Sequence, residues 1–385
     1  ITGTITLGVT AANDPPSVSG VDVSVPWTED DAVVPLPDIV SGDPDTGETL
    51  TATLTVSPAS AGALTTPGGA SYDEGTGVWQ LTGTVEDLNG ALAAIAFLPN
   101  DNVDVDAAIA VEIADGGESG ASAATGTLSL VVTPVNDQLM ASPLDTSTAW
   151  TEDAALVALP DVVVADPDTG ETVSVVLHLT PKGAGDLTTD GGGSWNNGAN
   201  EWTFTGTVAQ ANTALAAVAF EPGKHFDLDA AIAVTLQDGG EAGTVVVSGT
   251  ISLPVVTAND PPTVTGLDAS APWIEDAVSV DLPDLVTADP DTGEILTAQL
   301  VLADPSAGAL TAPGAASYDG ASGTWSITDT AGTVNLALAD VVFVPAVHRD
   351  VGTSIAVTVT DGGEDGATAV TGAIDLPVTP VNDAP

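Results

Sequence analysis

The sequence runs to 385 residues and carries 54 Asp and Glu against 3 Lys and Arg, a formal net charge of −51. Such a field repels phosphate, which excludes nucleic acid and anionic membrane surfaces as partners, and the absence of cysteine excludes disulfide staples and thiolate metal sites. Disorder is set aside as well, because 43% of the chain is apolar and the apolar residues alternate regularly, which marks a folded chain in need of counter-ions.

In chain order, residues 1–13 read as the last strand of a truncated preceding repeat, with Ile5, Leu7 and Val9 matching Leu128, Leu130 and Val132. A unit of 123 residues then recurs three times, over 14–136, 137–259 and 260–385, the last including the start of a further linker. Trp27, Trp150 and Trp273 keep this step, as do the Asp-Pro-Asp triplets at 43–45, 166–168 and 289–291. Fixed-period self-similarity signals a tandem array.

Each unit opens with Val21, Val23 and Val25, followed by Val33 to Leu36. Leu50, Ala52, Leu54 and Val56 alternate with threonines, Ile109, Val111 and Ile113 alternate with Ala110 and Glu112, and Leu128, Leu130 and Val132 close the unit. Period two with abundant Thr and Val predicts half-buried antiparallel strands, and the Gly, Pro and Asp clusters supply turns. Val85, Leu88, Leu92 and Ile95 instead carry the spacing of a short helical crossover. About seven strands per unit predict an all-β chain, a tandem array of three seven-stranded Greek-key β-sandwiches. Trp79, Trp202 and Trp325 lie in alternating strands, as do Phe97, Phe220 and Phe343, which favours core packing over a sugar-stacking surface.

The acids follow the period too. Eleven positions are acidic in all three units, whereas acids that merely solvate a surface would scatter. Counting strand directions places Glu29, Asp30, Asp104, Asn136 and Asp137 of one repeat against Asp166, Asp168 and Asp238 of the next. The second joint repeats this with Glu152, Asp153, Asp227, Asn259 and Asp260 against Asp289, Asp291 and Asp361. Half-sites of the same kind are Asp14, Asp43, Asp45 and Asp115 at one end, and Glu275, Asp350, Asn382 and Asp383 at the other. At ~4 Å each like-charge pair costs about 1–4 kcal/mol at effective dielectrics of 80 to 20. The first repeat has no Lys or Arg to offset this, so bound cations must. Oxygen-only, irregular ligand sets suit Ca²⁺, with its 6–8 oxygens, better than Mg²⁺. Asp22 and Asp38 are weaker members, because acids at strand ends also form turns.

Glu29 after the first strand, Asp43-Pro-Asp45, Asp115-Gly-Gly and the Asn-Asp linkers resemble the calcium motifs of cadherins. The sequence more closely resembles the cadherin-like repeats of large bacterial RTX adhesins, whose units end as this chain does in Val-Asn-Asp-Ala-Pro. The resemblance implies a calcium-rigidified extender on the bacterial cell surface that holds a ligand-binding tip away from the cell. It also implies a monomeric rod whose partners are calcium and neighbouring repeats, and about two or three Ca²⁺ per joint. The second linker, Asn136-Asp137-Gln138-Leu139, lacks the usual prolines and is expected to be less stiff, and Gly352 replaces Asp106 and Asp229.

Enzyme readings fare badly, since His178, His225 and His348 form no repeated set with a carboxylate and a nucleophile. His178 is expected on a polar strand face, and His225 and His348 in the loop position of Asn102. The alternative to a structural spacer is a carbohydrate-binding or homophilic adhesion module. Its mark would be a surface aromatic cluster unique to one repeat, for which Trp195, Phe204 and Phe226 are the candidates.

Overall fold

Alternation decides the strands. Leu50, Ala52, Leu54 and Val56 are buried, and the threonines between them stay half-exposed. The computed structural model describes residues 3–8, 12–116, 121–168, 170–239, 246–291, 293–362 and 369–382. In chain order the first repeat holds β1 (Ser17–Ser19), β2 (Val23–Thr28), β3 (Val34–Pro35), β4 (Val40–Gly42), β5 (Leu50–Ser57), β6 (Gly62–Leu64), β7 (Ser71–Asp73) and β8 (Val78–Gly83). Helix α1 (Val85–Leu92) precedes β9 (Ala96–Pro99), β10 (Ala107–Asp115) and β11 (Ala124–Thr133).

These segments build the expected sandwich. One layer is a six-stranded sheet in the order β2-β11-β10-β5-β8-β7, and the other combines β3-β9-β6 with the pair β1-β4. The same strand orders recur in the second and third repeats, with part of the β2–β11 pairing split off as a separate two-stranded sheet, each repeat around its own apolar core. Trp27 meets Phe97 edge-on across the layers with ring centroids 5.8 Å apart, as Trp150 meets Phe220 at 5.5 Å and Trp273 meets Phe343 at 6.0 Å. Trp79, Trp202 and Trp325 are fully buried, as the alternation requires.

The helical crossover is present in all three repeats, over Val85–Leu92, Val208–Ala217 and Ala331–Asp340. Thr84 caps the first by accepting from the Asp87 amide, and Thr207 with Gln210 forms a capping box on the second. An unanticipated clamp ties each helix to the neighbouring strand. Asn89 both accepts from the Ser41 amide at 2.8 Å and donates to the Ser41 carbonyl at 2.9 Å. Asn212 on Val164 and Asn335 on Thr287 repeat it.

Two findings depart from expectation, and a third concerns the linker without prolines. Strand β2 pairs with β11 in parallel, over six consecutive residue pairs from Val23–Leu128 to Thr28–Thr133. In the later repeats this pairing is broken into Thr146–Ser147 and Trp150–Thr151, and into Ala269–Ser270 and Trp273–Ile274. Pro254 and Pro377 stand where the first repeat has Val131, and a proline has no N–H to donate. Residues 3–8 carry no strand pairing, and Ile5 and Leu7 are exposed, because no neighbouring strand among the described residues takes up their backbone groups. Finally, Leu139 in the second linker is fully buried, at the position of the buried Pro16 and Pro262. The linker without prolines thus still seats its fourth residue in the core of the following repeat.

Candidate metal centre at the repeat joints

The first joint is assembled from backbone outward. Where β2 ends, Asp30 turns the chain with a left-handed φ of 63°. Its Oδ1 accepts from the Asn102 amide at 3.3 Å, which pins the loop carrying Asp104. Glu29 is 3% exposed, and its Oε2 accepts from the Val135 amide in the linker at 2.9 Å. The following repeat reaches back. The Asp137 amide donates to Asp168 Oδ2 at 2.8 Å, and Asn136 Nδ2 lies 3.4 Å from Asp238 Oδ2. Within the Asp-Pro-Asp turn, Asp166 Oδ1 accepts from the Asp168 amide at 3.1 Å, which fixes the Asp166 carboxylate beside Asp168.

Glu29, Asp137 and Asp168 thereby each present an oxygen within 4.8 Å of the others, and so do Asp166, Asp168 and Glu171. Six buried oxygens here receive no hydrogen bond from the described residues: Glu29 Oε1, Asn136 Oδ1, Asp137 Oδ2, Asp166 Oδ2, Asp168 Oδ1 and Asp238 Oδ1. Burial raises the pKa of Glu29, of Asp137 and of Asp166, and neighbouring carboxylates push each further up. Asp104 acts on Glu29, and Asp30 and Asp101 act on Asp137.

The second joint reproduces the frame. Glu152 Oε2 accepts from the Ala258 amide at 3.0 Å, the Asp260 amide donates to Asp291 Oδ2 at 2.8 Å, and Asn259 Nδ2 lies 3.4 Å from Asp361 Oδ2. Glu152, Asp260 and Asp291 form the matching cluster, Asp289 sits beside Asp291, and Asp227 acts on Glu152. At the first repeat's outer end the Asp14 amide donates to Asp45 Oδ2 at 2.8 Å, and Asp43, Glu48 and Asp115 cluster. Glu48 shares a hydrogen bond with Asp115 that holds its carboxyl up at about 7. In the third repeat Glu275 Oε2 accepts from the Val381 amide at 2.7 Å. Asp383 and the glutamates at 118, 241 and 364 lie outside the described residues.

Several acids have structural work instead. Asp22, Asp145 and Asp268 adopt left-handed φ values of 61°, 55° and 56°, and each accepts from a backbone amide in the last strand of its repeat. Asp106 and Asp229 accept from the Val132 and Val255 amides, a bond that Gly352 cannot make. Strand counting put Glu48 in the same loop as Asp43 and Asp45 without naming its period partner Glu171 among the joint ligands; Glu171 clusters with Asp166 and Asp168, and Asp101, which the first repeat alone possesses, acts on Asp137.

The aromatic candidates are accounted for by packing. Trp195 donates its indole N–H to Asp186 at 2.8 Å, where Tyr72 and Tyr318 donate to the Gly62 and Gly308 carbonyls. Phe204 stacks on the buried Trp202 at 6.3 Å. His178 lies 3.6 Å from Glu201, and His348 lies 3.7 Å from Asp276.

These raised carboxyl pKa values fix the sign of a pH effect. Between 4.5, the ordinary glutamate value, and about 7, where Glu48 titrates, the folded chain holds more protons than the unfolded one. Stability of the metal-free chain is therefore highest at the acid end of that window and falls as pH rises through it. Thermal melts in chelator across this range are expected to show a declining melting temperature. A flat or rising profile would show that burial and clustering do not raise these carboxyl pKa values in the folded state.

No protein-family model matches the chain, and no curated protein matches it. Among solved structures the chain is similar to the human Desmocollin-1 ectodomain, with 14% identity over 94% of this chain and a TM-score of 0.36, and it spans 61% of that chain. It is also similar to mouse Protocadherin-24 EC1-3, with 15% identity, 98% of this chain, 100% of that chain and a TM-score of 0.34. A third is Drosophila N-cadherin EC1-4, with 15% identity, 96% of this chain, 76% of that chain and a TM-score of 0.32.

Proposed function

We propose that this chain is a calcium-rigidified extender segment of a cell-surface adhesin, of the bacterial RTX kind its motifs resemble, with repeat boundaries at the Asn-Asp linkers. The observation that carries the reading is the set of six buried oxygens at the first joint that receive no hydrogen bond. Burying an acceptor without a donor costs about 1–3 kcal/mol, and more when it is charged. Hard cations, each of which takes 6–8 oxygens, would remove that cost. Glu29, Asn136, Asp137, Asp166, Asp168 and Asp238 would hold the ions, with Asp30, Asp104 and Glu171 around them. Bound there, calcium supplies positive charge and no chemistry of bond making. The residues themselves do the mechanical work: Glu29 grips the linker at Val135, and Asp168 grips it at Asp137.

The deciding experiment combines calorimetric calcium titration with small-angle scattering. Binding of about two or three Ca²⁺ per joint is expected. A sandwich is roughly 35–45 Å long at ~3.3 Å per strand residue, so three in line should exceed ~100 Å with calcium and contract with chelator. An unchanged maximum dimension would remove the extender mechanism, and no binding heat would remove calcium itself.

A further inference from the structure

The second joint differs from the first in one chemically decisive position. Where the first repeat has Asn102 beside Asp101, the second has His225 beside Lys224. Backbone geometry is the same in both. Asn102 and His225 have left-handed φ values of 58° and 55°, and both donate their amides to the Asp of the preceding turn, Asp30 in one case and Asp153 in the other. That shared frame carries the imidazole into the joint. Its Nδ1 contacts Asp260 Oδ2 and lies 3.6 Å from Asp153 Oδ2.

Three ligand atoms, one each from Asp153, His225 and Asp260, therefore lie within 4.8 Å of one another, contributed by a turn, a loop and the linker. A second observation comes from the neighbouring cluster that shares Asp260. Glu152 is 4% exposed, offers an oxygen within 4.8 Å of one from Asp260, and among the described residues its Oε1 receives no hydrogen bond. The imidazole side chain remains 29% exposed and that of Asp153 39%, so water can complete a coordination shell from outside.

Imidazole nitrogen changes which metal is preferred. All-oxygen sets favour calcium and magnesium, whereas a set that includes imidazole suits zinc, cobalt, nickel and copper. Three protein ligands with an open outer face match a zinc ion that keeps a water. We propose that the second joint binds a borderline divalent transition ion, zinc being the representative, on Asp153, His225 and Asp260 with Glu152 alongside. The proposal deepens the calcium reading, because Asp260 is common to both sites, yet it makes the two joints chemically unlike.

The test uses the full 385-residue chain in millimolar calcium, titrated with Zn²⁺ by calorimetry and with Co²⁺ by visible absorption. His225→Asn installs the residue the first repeat already uses on this backbone, and His348→Asn is the control. Wild type and His348→Asn are expected to bind about one equivalent of zinc, while His225→Asn loses about tenfold or more in affinity and keeps its calcium stoichiometry. Equal zinc affinity in wild type and His225→Asn, or no zinc binding at all, overturns the proposal. Zinc bound through His225 in a chain that takes up no calcium would sustain this site and sink the calcium reading. Calcium uptake with a zinc response indifferent to His225 would do the reverse.

Discussion

Replacing Asp168 by Ala is expected to lower the calcium-bound melting temperature of the second repeat by ~10 °C while leaving the calcium-free melt nearly unchanged. Asp168 is 7% exposed and sits in both oxygen clusters of the first joint. Its Oδ1 receives no hydrogen bond, and its Oδ2 holds the Asp137 amide. With calcium at a thousand times its dissociation constant, one bound ion stabilises the fold by about 4 kcal/mol, so loss of a shared ligand removes a large part of that. Without calcium two effects oppose each other. Removing a charge relieves repulsion from Glu29, Asp137 and Asp166, worth about 1–4 kcal/mol per close pair before solvent screening. Losing the acceptor of the Asp137 amide costs about 0.5–1.5 kcal/mol. Asp190→Ala, which removes an exposed acid from the same repeat, should shift neither melt. If Asp190→Ala and Asp168→Ala behaved alike, position at the joint would be irrelevant.

Trp202→Ala should cost about 3–5 kcal/mol of the second repeat's stability, measured by urea unfolding with calcium present. The ring is fully buried, pairs across strands with Leu177 and Trp195, and stacks on Phe204. Gly193 makes room for it, since a Cβ there would sit 2.0 Å from the indole. Trp202→Phe should cost far less. Among the described residues the Trp202 indole N–H has no acceptor, whereas Trp79 donates to the Thr65 carbonyl at 3.0 Å. A phenylalanine would leave nothing unsatisfied. A loss under about 1 kcal/mol for the alanine variant would mean that the repeat can collapse around the gap.

Much of this was legible in the sequence, for reasons specific to each residue. Burial of Trp79 and Leu54 follows from period two, and the crossover helix from the spacing of Val85, Leu88 and Leu92, because both signals are local. The direction of the β2–β11 pairing was not legible, since it joins residues about 105 apart and alternation is the same for parallel and antiparallel neighbours. Periodicity singled out both Asp22 and Asp168, and the place of Asp22 at a strand end already marked it as the weaker member. Its left-handed φ and its bond to the Thr127 amide make it a turn former. Asp101 escaped because it does not repeat. Glu171 repeats, but loop length alone does not say how far a glutamate reaches.

The parallel partnership of β2 and β11 bears on how a repeat meets tension. After the short β1, which pairs with β4, the chain runs along β2 and later leaves along β11, and β2 and β11 lie side by side in one direction. A pull on the two ends slides one strand along the other, so their six residue pairs are strained together rather than opened one after another. In the second and third repeats the proline at 254 or 377 divides that seam into two short pieces, and the sliding load falls on fewer pairs.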